Sequence, residues 1–466
     1  MTTTRTTTIL SAFSHLTSRH HHQVHRRISS SSSNRKMNSP LNRQISNSIS
    51  GNDNFNLKLV SSSASSSQVG EATDSLRTVF EKLRRPYNPY PLIGWNRHIE
   101  TIFAAFFRSL PGIRFRRECL RTADDGVVSL DWVCGDDTEI PIDAPVLILL
   151  PGLTGGSGDT YVQHMLARAR RLRWRVVVFN SRGCGGSPVV TPQFYSASFT
   201  GDTREVVKHV NTRYPNSNLY AVGWSLGANI LVQYLGEEAE NCLLSGGVSL
   251  CNPFNLIIAD EDFRKGFNNI YDKALARSLT KIFKKHAQLF EDIGGEYDIK
   301  LAANAKTVKE FDEGLTRVSF GFNSAEHYYS SSSSSDSIKY VRRPLLCIQA
   351  ENDPIAPSRG IPYDDIEVLF ILKLYDVPDV YPRNIAKHIF IHVAAENPNC
   401  LLIVTPKGGH LGWVAGAEAP FGAPWTDPIV IEFLQHIEDP APASWNSCVT
   451  TDDADHSGNG LHKIGV

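Results

Sequence analysis

Short apolar runs recur through the middle of the chain at Val146 to Leu150, Arg175 to Phe179, Leu219 to Val222, Gly247 to Cys251, Leu345 to Ala350 and Leu401 to Thr405. Each is too short for a stable helix and continuous rather than alternating, the pattern of a strand buried on both faces of a parallel sheet. Between them the apolar positions take a helical period over Tyr161 to Leu172, over Thr203 to Tyr214 and up to Gly236. This alternation predicts an α/β domain, a mostly parallel central sheet flanked by helices. From Asn255 to Tyr340 the rhythm stops: the stretch reads as helical, carries no strand pattern and ends in the serine tract Ser330 to Ser335. Ahead of the first strand, Leu76 starts a short helix that ends before Pro86, and Tyr87 to Pro91 reads as an extended linker. Ile99 to Leu110 then gives an amphipathic helix with Ile102, Phe103, Phe106 and Phe107 on one side, suited to lining an acyl site or touching a bilayer.

One strand-to-helix junction carries chemistry. Gly223-Trp224-Ser225-Leu226-Gly227 joins the run ending at Val222 to the helix beginning near Ala228. A serine on so tight a turn needs glycine on both sides, because a Cβ there would collide with the converging strand and helix. A serine hydroxyl is nearly inert at neutral pH until an imidazole takes its proton, and the imidazole in turn needs an acid to fix its tautomer. Both follow later in the chain. Asp353-Pro354 lies in the turn after Leu345 to Ala350, and His410 lies in Gly408-Gly409-His410-Leu411-Gly412 after Leu401 to Thr405. The order serine, acid, histidine is that of α/β-hydrolases. Two backbone donors for an oxyanion are expected, from Leu226 and from Leu153 in the loop Pro151-Gly152-Leu153-Thr154-Gly155-Gly156-Ser157. A phosphate cradle is the other reading of that loop, but the Lys-Ser/Thr ending of a P-loop is missing. Asp353 as a turn cap and His410 as a structural loop residue are the plain alternatives. Asp202 is read as the cap of the helix that follows it.

The resemblance widens beyond the pentapeptide. Asn96-Arg97-His98-Ile99-Glu100-Thr101-Ile102, Leu130-Asp131-Trp132, the Pro151 to Ser157 loop, Asn180 to Ser187, Gly223 to Asn229, Asp353-Pro354-Ile355 and Gly408 to Trp413 form an ordered set similar to the AB hydrolase 4 family, whose plant members are called embryogenesis-associated proteins. It spans roughly Pro86 to Glu438. The resemblance implies an α/β-hydrolase fold with a helical lid at about 255–340 and a charge-relay triad of Ser225, Asp353 and His410. It implies hydrolysis of carboxylic acyl esters, of esterase or acylglycerol lipase type, through an acyl-serine intermediate and with no metal or organic cofactor. His98 is placed in the cleft wall by the motif alone, while Asn96 and Arg182 read as packing or hydrogen-bonding residues. Phe263, Phe267, Phe283, Phe290, Phe311, Phe320 and Phe322 are candidates for an acyl channel.

Composition refines this picture. With 466 residues and 41% hydrophobic content the chain can bury a large core, and a net charge of −1 argues against a nucleic-acid partner. The eight cysteines show no C-x-x-C pairing and read as reduced, mostly buried thiols. The first 52 residues hold seven basic side chains, no acidic one and many serines, with no apolar signal core. Met1 to about Ser67 therefore reads as a plastid transit peptide, with mitochondrial import, a cytoplasmic disordered tail or a peripheral membrane location as alternatives. Residues 68–439 form the predicted hydrolase domain and 440–466 a disordered tail. An insert at about Tyr363 to Ala395 departs from the family pattern and predicts an exposed apolar protrusion, such as a splice variant would carry. If it displaced the strand before His410, the chain would be a catalytically impaired scaffold.

Overall fold

The computed structural model describes residues 86–291, 293–371 and 397–439. The expected transit peptide, the short helix from Leu76, the tail at 440–466 and most of the 363–395 insert lie outside those residues. The strands are β1 (Phe115–Arg121), β2 (Val127–Val133), β3 (Val146–Leu150), β4 (Arg175–Asn180), β5 (Leu219–Trp224), β6 (Gly246–Leu250), β7 (Leu345–Ala350), β8 (Ile366–Ile371) and β9 (Asn397–Thr405). They form one nine-stranded sheet in the order β1-β2-β4-β3-β5-β6-β7-β9-β8. Every pair from β4 to β8 is parallel, and only β1/β2 and β2/β4 are antiparallel. This is the α/β-hydrolase fold.

The principal helices are α1 (Arg97–Phe106), α2 (Thr160–Arg171), α3 (Gly201–Arg213), α4 (Leu226–Glu238), α5 (Leu256–Phe263), α6 (Asn269–Phe283), α7 (Ala325–Ser331) and α8 (Thr426–Glu438). Side chains alternate across a strand, so the continuous apolar runs feed two cores at once. Leu147 and Leu149 of β3 meet Met165 and Leu166 of α2 and Phe433 of α8 on one face. Val146 and Ile148 meet Val207 and Val210 of α3 and Leu231 of α4 on the other. At roughly 1.5–3 kcal/mol for each fully buried aliphatic side chain, these two layers outweigh any single polar contact in holding the sheet.

Three readings need correction. The antiparallel hairpin β1/β2 has no counterpart among the expected strands, although Val128, Leu130 and Trp132 alternate with polar partners and an Asp125-Gly126 turn precedes them. Asp202 does not cap α3: the N-cap position is Thr200, and both Asp202 oxygens accept hydrogen bonds from the buried Arg182 guanidinium, at 2.6 and 2.9 Å. A buried guanidinium requires an opposing charge, and Asp202 with Asp124 supplies it. Nor does the insert begin as a protrusion. Ile366 is fully buried, and 366–371 pairs in parallel with β9, with irregular register at Ile366/Glu367 and Val368/Phe370. Its β-branched, apolar composition suits a strand.

The described residues of 255–340, between β6 and β7, fold as helices and turns without a strand. Phe283, Phe290 and Phe311 pack together there with Phe194. Within this segment lies a π-helical turn at Asp312–Thr316, where the Tyr329 hydroxyl donates to Asp312 Oδ2 at 2.8 Å. Burial is the main cause that pushes the Asp312 carboxyl up to about 7. A carboxyl whose folded pKa is raised keeps its proton between pH 4 and 7 while the unfolded chain has lost it. Its contribution is therefore complete below about pH 4 and is lost as pH rises through 7. Urea unfolding at several pH values should show stability falling from pH 4 to 7, by an upper bound of about 4 kcal/mol, with a flatter profile in Asp312→Asn. Parallel profiles for the two proteins would contradict this.

Candidate active site

Ser225 stands between β5 and α4 with φ 53° and ψ −119°, a left-handed conformation that a residue with a side chain adopts only under constraint. Three backbone hydrogen bonds hold it: Ser225 N donates to Leu250 O of β6 at 2.9 Å, while Ser225 O accepts from Ala228 N and Asn229 N. The two motif glycines permit the close approach. A Cβ on Gly223 would lie 2.6 Å from Gly227 O, and one on Gly227 would lie 2.2 Å from Leu150 O. The pentapeptide thus reads as a steric requirement.

The sheet brings the three expected side chains together from far apart in sequence. β7 and β9 are neighbours, Ala350 paired with Thr405, so the loops after them leave the same edge side by side. His410 Nε2 lies 3.1 Å from Ser225 Oγ, and His410 Nδ1 lies 2.9 Å from Asp353 Oδ2 and 3.1 Å from Oδ1. All three are buried, with Ser225 9% and His410 8% exposed, enough for a small reactant to reach them from the adjoining cavity. Asp353 Oδ1 also accepts from Ile355 N and Ala356 N, which fixes the carboxylate against the Pro354 turn. The β9 strand ahead of His410 stays in the sheet despite the insert.

The loop after β3 is oriented by two tyrosines. The Tyr161 hydroxyl takes Gly152 N–H at 3.1 Å and the Tyr195 hydroxyl takes Thr154 N–H at 2.7 Å. Among the described residues no partner occupies Leu153 N–H between them, nor Leu226 N–H at the start of α4. Both residues line a cavity of about 340 Å³ that also contains Ser225 and His410. Of the seven phenylalanines named from sequence, Phe263 and Phe311 line this cavity. Phe283 and Phe290 pack in the core beneath it, and Phe267, Phe320 and Phe322 pack on other rings elsewhere. His98 is likewise outside the lining: its Nδ1 lies 3.1 Å from the Tyr271 hydroxyl, tying α1 to α6. Asn96 caps α1, its side chain accepting from His98 N and Ile99 N.

One contributor, a cysteine, gave no sequence signal. Cys251, the residue after β6, is fully buried at φ 49°, accepts Leu411 N–H on its sulfur at 3.2 Å and is hydrogen-bonded to Asp353. Its sulfur, an Asp353 oxygen and a His410 nitrogen lie within 4.8 Å of one another, the spacing of a metal-ligand set. Burial pushes the thiol well above its usual range, so without a metal it is a protonated neighbour of Asp353. The described cysteines are all free thiols, five of them buried.

A family model described as the alpha/beta hydrolase fold matches residues 145–365. Over 382 residues the chain is 62% identical to embryogenesis-associated protein EMB8 of Picea glauca, an alignment covering 80% of this chain and 77% of that one. It is 31% identical over 351 residues to phospholipase ABHD3 of Homo sapiens, covering 74% and 78%. It is also 31% identical over 311 residues to monoacylglycerol lipase of Saccharomyces cerevisiae, covering 65% and 62%. On this similarity the chain belongs to the α/β-hydrolase family, in the group that holds the plant embryogenesis-associated proteins.

Proposed function

We propose that the protein is a serine hydrolase that cleaves carboxylic acyl esters, of esterase or acylglycerol lipase type, through an acyl-serine intermediate. The observation that carries this reading is the hydrogen-bonded series Ser225 Oγ, His410 Nε2, His410 Nδ1 and Asp353 opening onto one largely apolar cavity. In this mechanism Ser225 Oγ attacks the ester carbonyl while His410 takes its proton, and Asp353 stabilises the resulting imidazolium. The developing oxyanion accepts from Leu226 N–H and Leu153 N–H, donors already held in place before substrate arrives. His410 then gives its proton to the leaving alcohol, and water repeats the sequence to release the acid. Helices of 255–340 act as a lid, lining the acyl side of the cavity with Phe263, Leu279 and Phe311. Similarity to proteins named phospholipase and monoacylglycerol lipase supports a lipid ester as substrate.

A fluorophosphonate probe should label wild type and leave Ser225→Ala unlabelled; an unlabelled, correctly folded wild type would refute the mechanism. With p-nitrophenyl esters, Asp353→Asn should lower kcat by about 10⁴-fold, because the wrong imidazole tautomer then faces the serine. Leu279→Trp, which fills part of the cavity, should move the preferred acyl chain to a shorter length. An unchanged chain-length profile would show that the acyl group lies elsewhere.

A further inference from the structure

The segment that carries His410 is held by side chains rather than by secondary structure. Gly409 N donates to Asn352 Oδ1, His410 N to Thr101 Oγ1 at 2.9 Å, Leu411 N to Cys251 Sγ, and Val414 N to Glu100 Oε1 at 2.9 Å. The carbonyls of Leu411 and Gly412 accept from the Arg108 guanidinium. Three of these five residues, Glu100, Thr101 and Arg108, belong to α1 or follow directly on it, more than 300 positions away in sequence. The contact is flush: a Cβ on Gly409 would lie 2.5 Å from Thr101 Oγ1, and one on Gly412 would lie 2.7 Å from Glu100 Cγ.

Thr101 is the joint of this arrangement. Its hydroxyl donates to Arg97 O at 2.7 Å and accepts His410 N–H. A threonine hydroxyl has one proton and two lone pairs, so its single proton is spent on α1 and a lone pair is left for the histidine loop. Glu100 is fully buried and burial raises its carboxyl, while hydrogen bonds from Tyr87 and Val414 and the nearby Arg108 charge favour the ionised form.

We infer that Thr101 is a positioning residue for His410: α1 braces the main chain of the histidine loop through the Thr101 hydroxyl, and the reach of the imidazole to Ser225 depends on that brace. The catalytic part of this inference rests on the proposed hydrolase reading; the bracing itself does not. Thr101→Val keeps the shape and removes the acceptor, whereas Thr101→Ser keeps the acceptor. With a p-nitrophenyl ester, Thr101→Val should lose about 10- to 100-fold in kcat, the scale of a small misplacement of a catalytic group, with KM within about twofold. Thr101→Ser should stay near wild type, and Thr101→Val added to His410→Ala should cost nothing more. A kcat equal to wild type in Thr101→Val, or an equal further loss in the His410→Ala background, would overturn the inference. An activity-independent measurement separates this from failure of the hydrolase reading. In Ser225→Ala protein, Thr101→Val should speed amide hydrogen exchange at 409–414 by more than about tenfold while β5 and β7 stay protected. Unchanged exchange at 409–414 would overturn the brace whatever the enzyme does.

Discussion

A serine with a side chain at φ 53° is held in an uncomfortable turn, and the surrounding sheet keeps it there. Strain of this kind costs about 1–3 kcal/mol and survives only where the surroundings over-determine it. Here β5 is wedged between β3 and β6, Ser225 N is bonded to Leu250 O, and α4 lies so close to β3 that only hydrogen fits at residue 227. Relaxing the turn would mean prying a buried helix from a buried sheet. The cost is therefore spread over two hydrophobic layers, and the hydroxyl projects into the cavity as a result.

The partners of that hydroxyl are arranged by different means. Asp353 is fixed locally, by backbone donors within its own turn and by the Cys251 thiol at the end of the adjacent strand. His410 is fixed remotely, by side chains that reach the main-chain groups of its loop. A loop able to carry an imidazole to a serine must be irregular, and an irregular buried loop leaves polar main-chain groups that need partners. Meeting those needs with specific side chains turns a desolvation problem into geometric control.

Much of this was legible in the amino-acid order. Runs such as Val146 to Leu150 and Leu345 to Ala350 announced their strands because both faces are buried and period and length leave little choice. Ser225, Asp353 and His410 were legible because each follows such a strand in a turn of distinctive composition. What escaped depended on pairing at long range. Strand β1 carries exposed arginines and the half-buried Glu118, so its apolar content is too thin to signal the hairpin. Glu100, Thr101 and Arg108 look like ordinary helix residues until the loop at 409–414 is laid against them. Asp202 misled because a helix-start aspartate resembles a cap, while the buried Arg182 that claims it lies 20 positions upstream.

The edge position of β8 has an evolutionary meaning. Strand β9 keeps its partnership with β7 on the inner side while β8 pairs with its outer side, so β8 stands apart from the pairing that aims His410. An architecture of this kind can take on an added edge strand and offer it to selection as raw material, with the chemistry at the other strand ends left undisturbed.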